Sequence, residues 1–476
     1  MGVVALLLAV ATTAFSSQYR VLFPGGGAGF TVIRTEAWPA PGTRVMVVAP
    51  HPDDETLGGE PVLRAAAANG APARVVMITC GDAFLRAAEI KFRHTPHHQD
   101  MLNFGMLRQQ ETLHACTAIG LQPDQVVFLG FPDGGVAHLW AENWSPTNLF
   151  LSPTTGVDHC PYSDAAVPGA PYCGEALLNE VEDQIRSFQP TDIYVSHAWD
   201  DHPDHYATNY FVMAALDALS SDPAVAKIRV HGYLVHCGDL PTPRGYDPRA
   251  FVNPPDAIRQ DGLTWSELRL TPGEVNFRRQ IIDLYHSQVK LTRPFLEGFA
   301  RSSVLFGDVP AFQPRSVDAV LPTAVDWSRK DAFFSAGRHA GKDDILSEQI
   351  VMTPRGVMLR VQSKTLAAGT ICHVIIHPLS PVVEGPIMGT TSRPAATIGE
   401  DLTESAPVDV IAADTRSINY PGVTRSDFGH TIIMTLPYSL FSNATQAYLD
   451  VSLVRRGKPV HGGKWRVVRL PRARQA

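Results

Sequence analysis

The chain has few charged residues and few cysteines for its length of 476 residues. Charged residues make up 18% and the formal net charge is −7, so there is no basic field to attract nucleic acid as a main partner. The six cysteines are too few for a disulfide scaffold, and none has the Cys-x-x-Cys spacing of a zinc ribbon. The sequence also lacks the G-x-S-x-G, H-E-x-x-H and Walker A motifs, which argues against serine hydrolases, zincins and P-loop NTPases.

Positive charge is missing from the N-terminus, where no Lys or Arg precedes Arg20. Val3–Ala14 is nevertheless an uncharged run rich in Leu, Val and Ala, which favours a secretory signal or a short N-terminal anchor over a buried or disordered extension. We therefore expect residues 1–30 to form a signal or anchor followed by a flexible Gly-rich joint. The protein is then secreted, periplasmic or attached to a membrane through its N-terminus. In an exported chain Cys160 and Cys173 either form one bridge or remain two thiols.

Hydrophobic residues make up 45% of the chain, which is too long for one ordinary domain. Short apolar strands alternate with helices between Arg44 and about Ser220, which is typical of a Rossmann-like, mostly parallel sheet flanked by helices. The predicted strands are Val45–Ala49, Arg74–Thr79, Val126–Leu129, Ile193–Ser196 and Val230–His236. The predicted helices are Gly59–Asn69, Phe104–Ile119, Glu175–Phe188, His205–Leu219 and Phe277–Val289. This α/β domain is expected over residues 40–310.

The texture changes after about Pro310, where short strand-like runs recur between turns rich in Pro, Gly, Ser and Asn. The pattern predicts a C-terminal all-β, sandwich-like domain over residues 320–476. Two long loops interrupt the α/β domain, the His-rich Phe84–Asp100 and the Pro-punctuated His138–Cys173. Loops of this length usually build or cover a site.

Two clusters of polar residues follow two of the predicted strands. His51, Asp53 and Asp54 follow Val45–Ala49, and the run His202-Pro203-Asp204-His205 follows Ile193–Ser196. Parallel strands present chemistry at their carboxyl ends, and an imidazole beside two carboxylates is costly to hold together without a cation. Two such clusters predict one divalent-metal site.

The clusters fit a metal centre with three ligands, His51, Asp54 and His205. A set of two His and one Asp with open positions is the catalytic kind of zinc site, and the same ligands suit iron. Asp53 can take the proton of the metal-bound water, and His202 can stabilise the oxyanion or protonate the leaving amine. Asp204 can orient one of the imidazoles. The chemistry predicted from these residues is amide or ester hydrolysis.

The same residues carry a family resemblance. PHPDDE at residues 50–55 resembles the (A)HPDDE motif of the PIG-L/LmbE-like zinc deacetylases, and HPDH at residues 202–205 resembles their second motif. Arg108-x-x-Glu111, FLGFPDG at residues 128–134 and YHSQ at residues 285–288 follow the order of that family. The resemblance spans roughly residues 44–306. It implies removal of an N-acetyl group from an N-acetylglucosamine-type sugar or glycoconjugate, with zinc on His51, Asp54 and His205.

The resemblance also makes Arg108 and Asp133 candidate substrate contacts. Simpler interpretations stay open: Asp53 or Asp204 as a helix N-cap, Arg108 in an intrahelical ion pair with Glu111, and Asp133 as a turn residue. His94, His97 and His98 are expected to be a solvated loop rather than a second metal site. Pro50 departs from the motif, which usually has Ala there.

Two other functions remain open beside the deacetylase. One is a carbohydrate-binding protein with a vestigial catalytic domain, which the β-rich C-terminal half motivates. The other is an amidase for a larger acyl group, which would use the same site. The sequence leaves the oligomeric state undetermined.

Overall fold

A computed structural model of the chain describes residues 18–22, 31–256, 258, 263–308, 311–335, 345–366, 370–379, 408–412, 422–441, 444, 446–455, 458–461 and 466–470. The chain divides into two compact units. The first comprises Met1–Leu216 and Asp222–Val309, and the second Asp217–Ser221 and Pro310–Ala476. The predicted N-terminal run, Val3–Ala14, and the Gly-rich joint lie outside the described residues.

A nine-stranded sheet forms the centre of the first unit. Its strands are β1 (Tyr19–Leu22), β2 (Thr31–Thr35), β3 (Val45–Ala49), β4 (Ala73–Thr79), β5 (Val126–Phe131), β6 (Asp192–Ser196), β7 (Arg229–Tyr233), β8 (Thr264–Arg269) and β9 (Ser303–Asp308). They run in the order β1-β2-β8-β9-β7-β6-β3-β4-β5. The β7-β6-β3-β4-β5 half is entirely parallel, whereas β9 runs antiparallel to both of its neighbours. The mostly parallel α/β fold predicted from the sequence is thus confirmed.

Helices follow most of the parallel strands along the chain. They are α1 (Asp54–Ala68), α2 (Leu85–Phe92), α3 (His98–Ile119), α4 (Val136–Ala141), α5 (Gly174–Phe188), α6 (Pro203–Ala218), α7 (Pro272–Ile282) and α8 (His286–Leu296). Every residue of β3 and β6 is buried, as expected for central strands that are covered on both faces.

The packing of α1 on the sheet depends on two glycines. A Cβ at Gly58 would lie 2.3 Å from the ring of Tyr233, and one at Gly59 would lie 2.7 Å from a methyl of Val47. Real Cβ atoms do not approach other carbons so closely, so only Gly allows α1 to lie against β3 and β7 at this distance.

Two local predictions differ from the structure. Phe277–Val289 is not one helix, because α7 ends at Ile282 and α8 begins at His286. The capping box of Thr271 and Glu274, with Pro272 at the first helical position, also starts α7 earlier than the apolar pattern indicated. The stretch Phe84–Asp100 is not only loop, since it contains α2 and the start of α3.

The described residues of the second unit form two antiparallel sheets. The first contains β10 (Ala332–Ser335), β11 (Ile345–Thr353), β12 (Gly356–Ser363), β16 (Thr431–Pro437) and β15 (Thr424–Phe428), in that order. The second contains β14 (Val408–Ala412), β13 (Ile371–Leu379), β17 (Gln446–Arg455) and β18 (Lys458–His461), with β19 (Arg466–Arg469) also paired to β17.

One apolar core is shared by these two sheets. Leu359 of β12 and Met434 of β16 are buried in the same cluster as Val374 of β13 and Leu449 of β17. Two sheets that bury their facing residues against each other form a sandwich, so the predicted sandwich-like C-terminal fold is confirmed.

All six cysteines are buried and free, so Cys160 and Cys173 are not bridged. Cys173 is the residue before α5, and the Sγ of Cys160 faces the Leu129 and Tyr162 carbonyls instead. Among the described residues, no helix has both the length and the apolar character needed to cross a membrane.

Candidate metal centre

The candidate site lies at the carboxyl ends of four neighbouring parallel strands. His51 follows β3, and Asp54 begins α1. Asp133 follows β5. Asp82 follows β4, the strand that lies between β3 and β5 in the sheet. His205 stands in the first turn of α6, after β6. This is the edge at which parallel α/β sheets bind ligands.

Three atoms from two distant segments form a small triangle. His51 Nδ1 lies 3.2 Å from Asp54 Oδ2 and 3.2 Å from His205 Nε2, and His205 Nε2 lies 3.1 Å from Asp54 Oδ2. His205 is fully buried and Asp54 is 1% exposed. Ligands about 2.0–2.2 Å from one zinc ion lie roughly 3.0–3.5 Å apart, so the triangle has the dimensions of one face of a metal coordination sphere.

The electrostatics of the triangle also favour a shared positive charge. Burial lowers the pKa of His51, but Asp133, Asp204 and Asp54 more than offset it and hold that pKa well above its ordinary value. Burial raises the pKa of Asp54, but His205 and His51 hold it well below its usual range. A site with this balance binds a cation readily, so the residues fit a divalent metal ion.

Carboxylates face the remaining nitrogens of both histidines. His51 Nε2 lies 3.1 Å from Asp204 Oδ2 and 3.2 Å from Asp133 Oδ1. His205 Nδ1 lies 3.5 Å from Asp200 Oδ2. Metal-binding histidines usually donate their other ring N–H to such a group, which fixes the tautomer and the orientation of the ring.

Asp204 is not the N-cap of α6. It lies inside that helix, and its carboxylate accepts hydrogen bonds from the backbone N–H of Gly134 at 2.6 Å and of Val136 at 3.1 Å. Asp204 therefore ties the loop after β5 to His51, and its role in orienting that imidazole stays a prediction.

Asp200 is a buried residue of the site that the sequence reasoning missed. Beside His205, it accepts hydrogen bonds from the backbone N–H of Val235 and His236, both at 2.9 Å, and of His202 at 3.0 Å. The available signal was a second pair of adjacent carboxylates, Asp200 and Asp201, directly before His202.

His202 lies at the side of the triangle and is partly exposed. Its ring centroid is 4.8 Å from that of His51 and 5.0 Å from that of His205. One ring nitrogen from each of the three lies within 4.8 Å of the others. Burial and the neighbouring His51 and His205 lower the pKa of His202 to about 3. Its Nδ1 accepts from the backbone N–H of Asp204 at 3.3 Å, which leaves Nε2 to face a ligand.

Asp53 has a side chain that is 13% exposed, and its pKa is held well above its usual range. Burial is the largest cause, and the adjacent Asp54 adds to it, while Arg108 acts in the opposite direction. The side chain makes no capping hydrogen bond to α1, although Asp53 stands at the N-cap position. The Asp53 carboxylate therefore does not cap α1.

Arg108 is buried and forms no intrahelical ion pair. Its Nη1 donates to the carbonyl of Gly81 at 3.0 Å and its Nη2 to the carbonyl of Pro52 at 2.5 Å, with Asp53 Oδ2 at 3.6 Å. Glu111 instead accepts two hydrogen bonds from Ser287. The guanidinium therefore braces the loop that carries Asp53, and a substrate contact by Arg108 stays a prediction.

Asp133 is 8% exposed and is held from two sides. Its Oδ2 accepts from the backbone N–H of Ala83 at 2.7 Å, while its Oδ1 faces His51. The neighbouring Asp82 accepts from the Tyr162 hydroxyl at 2.5 Å. Tyr162 belongs to the long loop His138–Cys173, so this loop packs beside the candidate site, as its length suggested. A substrate contact by Asp133 also stays a prediction.

Comparisons with known proteins concern the same region of the chain. Residues 46–216 match the family model PIG-L, described as GlcNAc-PI de-N-acetylase. No curated protein matches the chain.

Several solved structures match part of this chain at low sequence identity. N,N'-diacetylchitobiose deacetylase from Pyrococcus horikoshii is 13% identical over 53% of this chain and 75% of its own, with a TM-score of 0.33. A deacetylase of the teicoplanin biosynthesis pathway is 18% identical over 56% and 97%, with a TM-score of 0.35. The 4-carboxy-2-hydroxymuconate hydratase GalB from Pseudomonas putida KT2440 is 15% identical over 59% and 99%, with a TM-score of 0.32.

Proposed function

We propose that the chain is a metal-dependent N-deacetylase of an N-acetylated sugar or glycoconjugate, because its residues 46–216 match the PIG-L family model. The observation that carries the proposal is the triangle of His51 Nδ1, Asp54 Oδ2 and His205 Nε2, with edges of 3.1–3.2 Å. Zinc and iron both suit this donor set. As predicted from the N-terminal run, we place the protein outside the cytoplasm, secreted, periplasmic or membrane-anchored.

A divalent ion held by these three residues would supply an acidified water and a polarised amide carbonyl. Asp53, adjacent to the ligand Asp54, is the base that removes the proton of the attacking water. Its carboxylate is partly exposed and makes no capping hydrogen bond to α1, so it is available to take that proton. His202 lies beside His51 and His205, and its pKa of about 3 keeps the ring neutral, so its Nε2–H stabilises the oxyanion. The departing amine takes the proton that Asp53 removed from the water.

The remaining carboxylates orient this machinery rather than react. Asp204 and Asp200 fix the rings of His51 and His205 from behind. The three ligands are buried, which keeps bulk water from them and strengthens each electrostatic interaction among them. The products are acetate and a free amine on the sugar.

The test measures metal content and acetate release together. We expect about one zinc or iron ion per chain and acetate release from some of a panel of N-acetylated sugars and sugar conjugates. Both are lost in the double variant His51→Ala/His205→Ala. The matched control is His94→Ala/His97→Ala, which removes two exposed histidines outside the site and leaves both measurements unchanged.

Other outcomes of this experiment separate the alternatives. Bound metal with release of a longer fatty acid, but not acetate, identifies an amidase for a larger acyl group. Bound metal and sugar binding without any hydrolysis supports a carbohydrate-binding protein. A chain without tightly bound metal overturns the proposal.

A further inference from the structure

The backbone of Asp53 has an unusual conformation, with φ at 124° and ψ at −27°. Two other non-glycine residues in the described part of the chain have positive φ, Arg93 at 63° and Gln189 at 49°. These two lie in or next to the ordinary left-handed well, whereas Asp53 lies far outside it. A residue with a Cβ occupies such a region only when its surroundings impose it, and such residues cluster at functional sites.

Hydrogen bonds hold both sides of this residue. The N–H of Asp53 donates to Glu55 Oε2 at 3.0 Å. Its carbonyl accepts from the N–H of Thr56 at 3.0 Å and of Leu57 at 2.8 Å. The bonds to the carbonyl belong to the first turn of α1 and would form in any helix. The bond from the N–H depends on one side chain, that of Glu55.

Glu55 is itself fixed from a distant part of the chain. It is fully buried, and its Oε1 accepts a hydrogen bond from the hydroxyl of Tyr285, the residue before α8. The same hydroxyl lies 2.9 Å from Thr56 Oγ1. Tyr285 thus holds one carboxylate oxygen of Glu55, Oε1, and the other, Oε2, accepts the hydrogen bond from the N–H of Asp53.

The segment that carries Tyr285 is anchored in turn. Glu111 of α3 accepts from the backbone N–H of Ser287 at 2.8 Å and from its hydroxyl at 2.6 Å. One helical turn earlier, Arg108 of α3 donates to the carbonyl of Pro52. Helix α3 therefore braces the loop before Asp53 and the segment behind Glu55.

We propose that Glu55 and Tyr285 are positioning residues that hold Asp53 in its strained conformation. Because φ and ψ set the direction of the Cα–Cβ bond, relaxation at residue 53 would turn its carboxylate away from the neighbouring ligand Asp54. The catalytic consequence rests on the proposed function, in which Asp53 is the base. The restraint itself rests only on the contacts of Glu55 and Tyr285.

The first test measures the strain by thermal unfolding of the full chain. Gly adopts positive φ without cost, whereas Asn keeps the Cβ and removes the charge. We expect Asp53→Gly to unfold about 2–6 °C above Asp53→Asn. That difference should fall by at least half in chains that also carry Glu55→Gln or Tyr285→Phe, because residue 53 then relaxes.

Tyr233→Phe is the matched control for this test. Tyr233 is also buried, and its hydroxyl donates to the carbonyl of Val48 and not to Glu55. The difference between Asp53→Gly and Asp53→Asn should survive in this background. If it is unchanged with Glu55→Gln and with Tyr285→Phe, the restraint does not exist. Tyr285→Phe removes a single oxygen and serves if Glu55→Gln does not fold.

The second test measures kinetics with Asp53 in place. We expect Tyr285→Phe to lower kcat by about 10–100-fold while KM and metal content stay at wild-type values. Tyr233→Phe should leave kcat within about twofold. Loss of metal, or a rise in KM without a fall in kcat, would overturn the positioning role. A wild-type chain with no deacetylase activity that still passes the thermal test would refute the proposed function and leave the restraint standing.

Discussion

At the scale of single residues, Asp200 connects parts of the site that are far apart in the chain. Its carboxylate faces His205 and accepts from the backbone at residues 202, 235 and 236. It is fully buried, so water cannot replace these interactions. Removal of the Asp200 charge should therefore make the ring of His205 less well ordered, although Asp200 is not itself a candidate ligand.

We expect Asp200→Asn to weaken zinc affinity by about 10–100-fold, since such outer carboxylates fix the ring of the ligating histidine. Chelator competition gives the affinity. The control is Asp192→Asn, because Asp192 is a buried carboxylate at the other end of β6 that bonds His231 at 3.0 Å. Equal losses of affinity in both variants would show a general loss of stability and contradict the role of Asp200.

The sequence and the structure meet most closely at His51, Asp54 and His205. Each motif is local and each follows a strand, so parallel topology alone was enough to predict that they lie together. Asp200 has only the weak signal of the carboxylate pair before His202, because its partners at residues 235 and 236 come from another segment and are backbone groups without a sequence signature. The positive φ of Asp53 has no signature either, since it arises from Glu55 and Tyr285.

At the scale of secondary-structure elements, α1 matters because it carries Asp54 and lies on the strand that precedes His51. We expect Gly58→Ala to destabilise the chain by about 1–3 kcal/mol, because the new methyl group would overlap the ring of Tyr233. Urea unfolding measures this free energy.

Gly273→Ala is the matched control for that helix variant. Gly273 stands in the first turn of α7, with no atom within 4 Å of a new Cβ. Since Ala favours helices over Gly, this variant should be neutral or stabilise the chain by up to about 1 kcal/mol. Similar destabilisation in both variants would mean that the close packing of α1 is not the cause.

Helices and strands with a regular pattern of apolar residues were predictable from the sequence. The elements that were predicted wrongly have physical explanations. The apolar pattern of Phe277–Val289 continues through residues 283–285, where the backbone breaks and Tyr285 turns inward to Glu55. Helix α2 was missed because only Ala87 and Ala88 of its residues are buried, so it shows almost no apolar face. The sandwich was predictable because short strand-like runs recur after residue 310 between turns rich in Pro, Gly, Ser and Asn.

At the scale of the whole molecule, the chain divides into two compact units, and all candidate ligands lie in the first. Metal that binds only the native first unit should stabilise that unit alone. In calorimetry we expect two unfolding transitions, one of which rises by about 3–6 °C when zinc is restored to the metal-free chain. The His51→Ala/His205→Ala variant should show no such rise. A shift of both transitions by the same amount would contradict stabilisation of the first unit alone.

The long sequence separation within the triangle of His51, Asp54 and His205 has a consequence for the synthesis of the protein. His51 and His205 are 154 residues apart, yet their ring nitrogens lie 3.2 Å from each other. A ribosome that adds 5–20 residues per second needs roughly 8–30 s to pass from one to the other. During that interval only His51 and Asp54 of the three candidate ligands have been synthesised. The proposed metal site is therefore complete only in the later stages of synthesis, after β6 has joined β3 in the sheet.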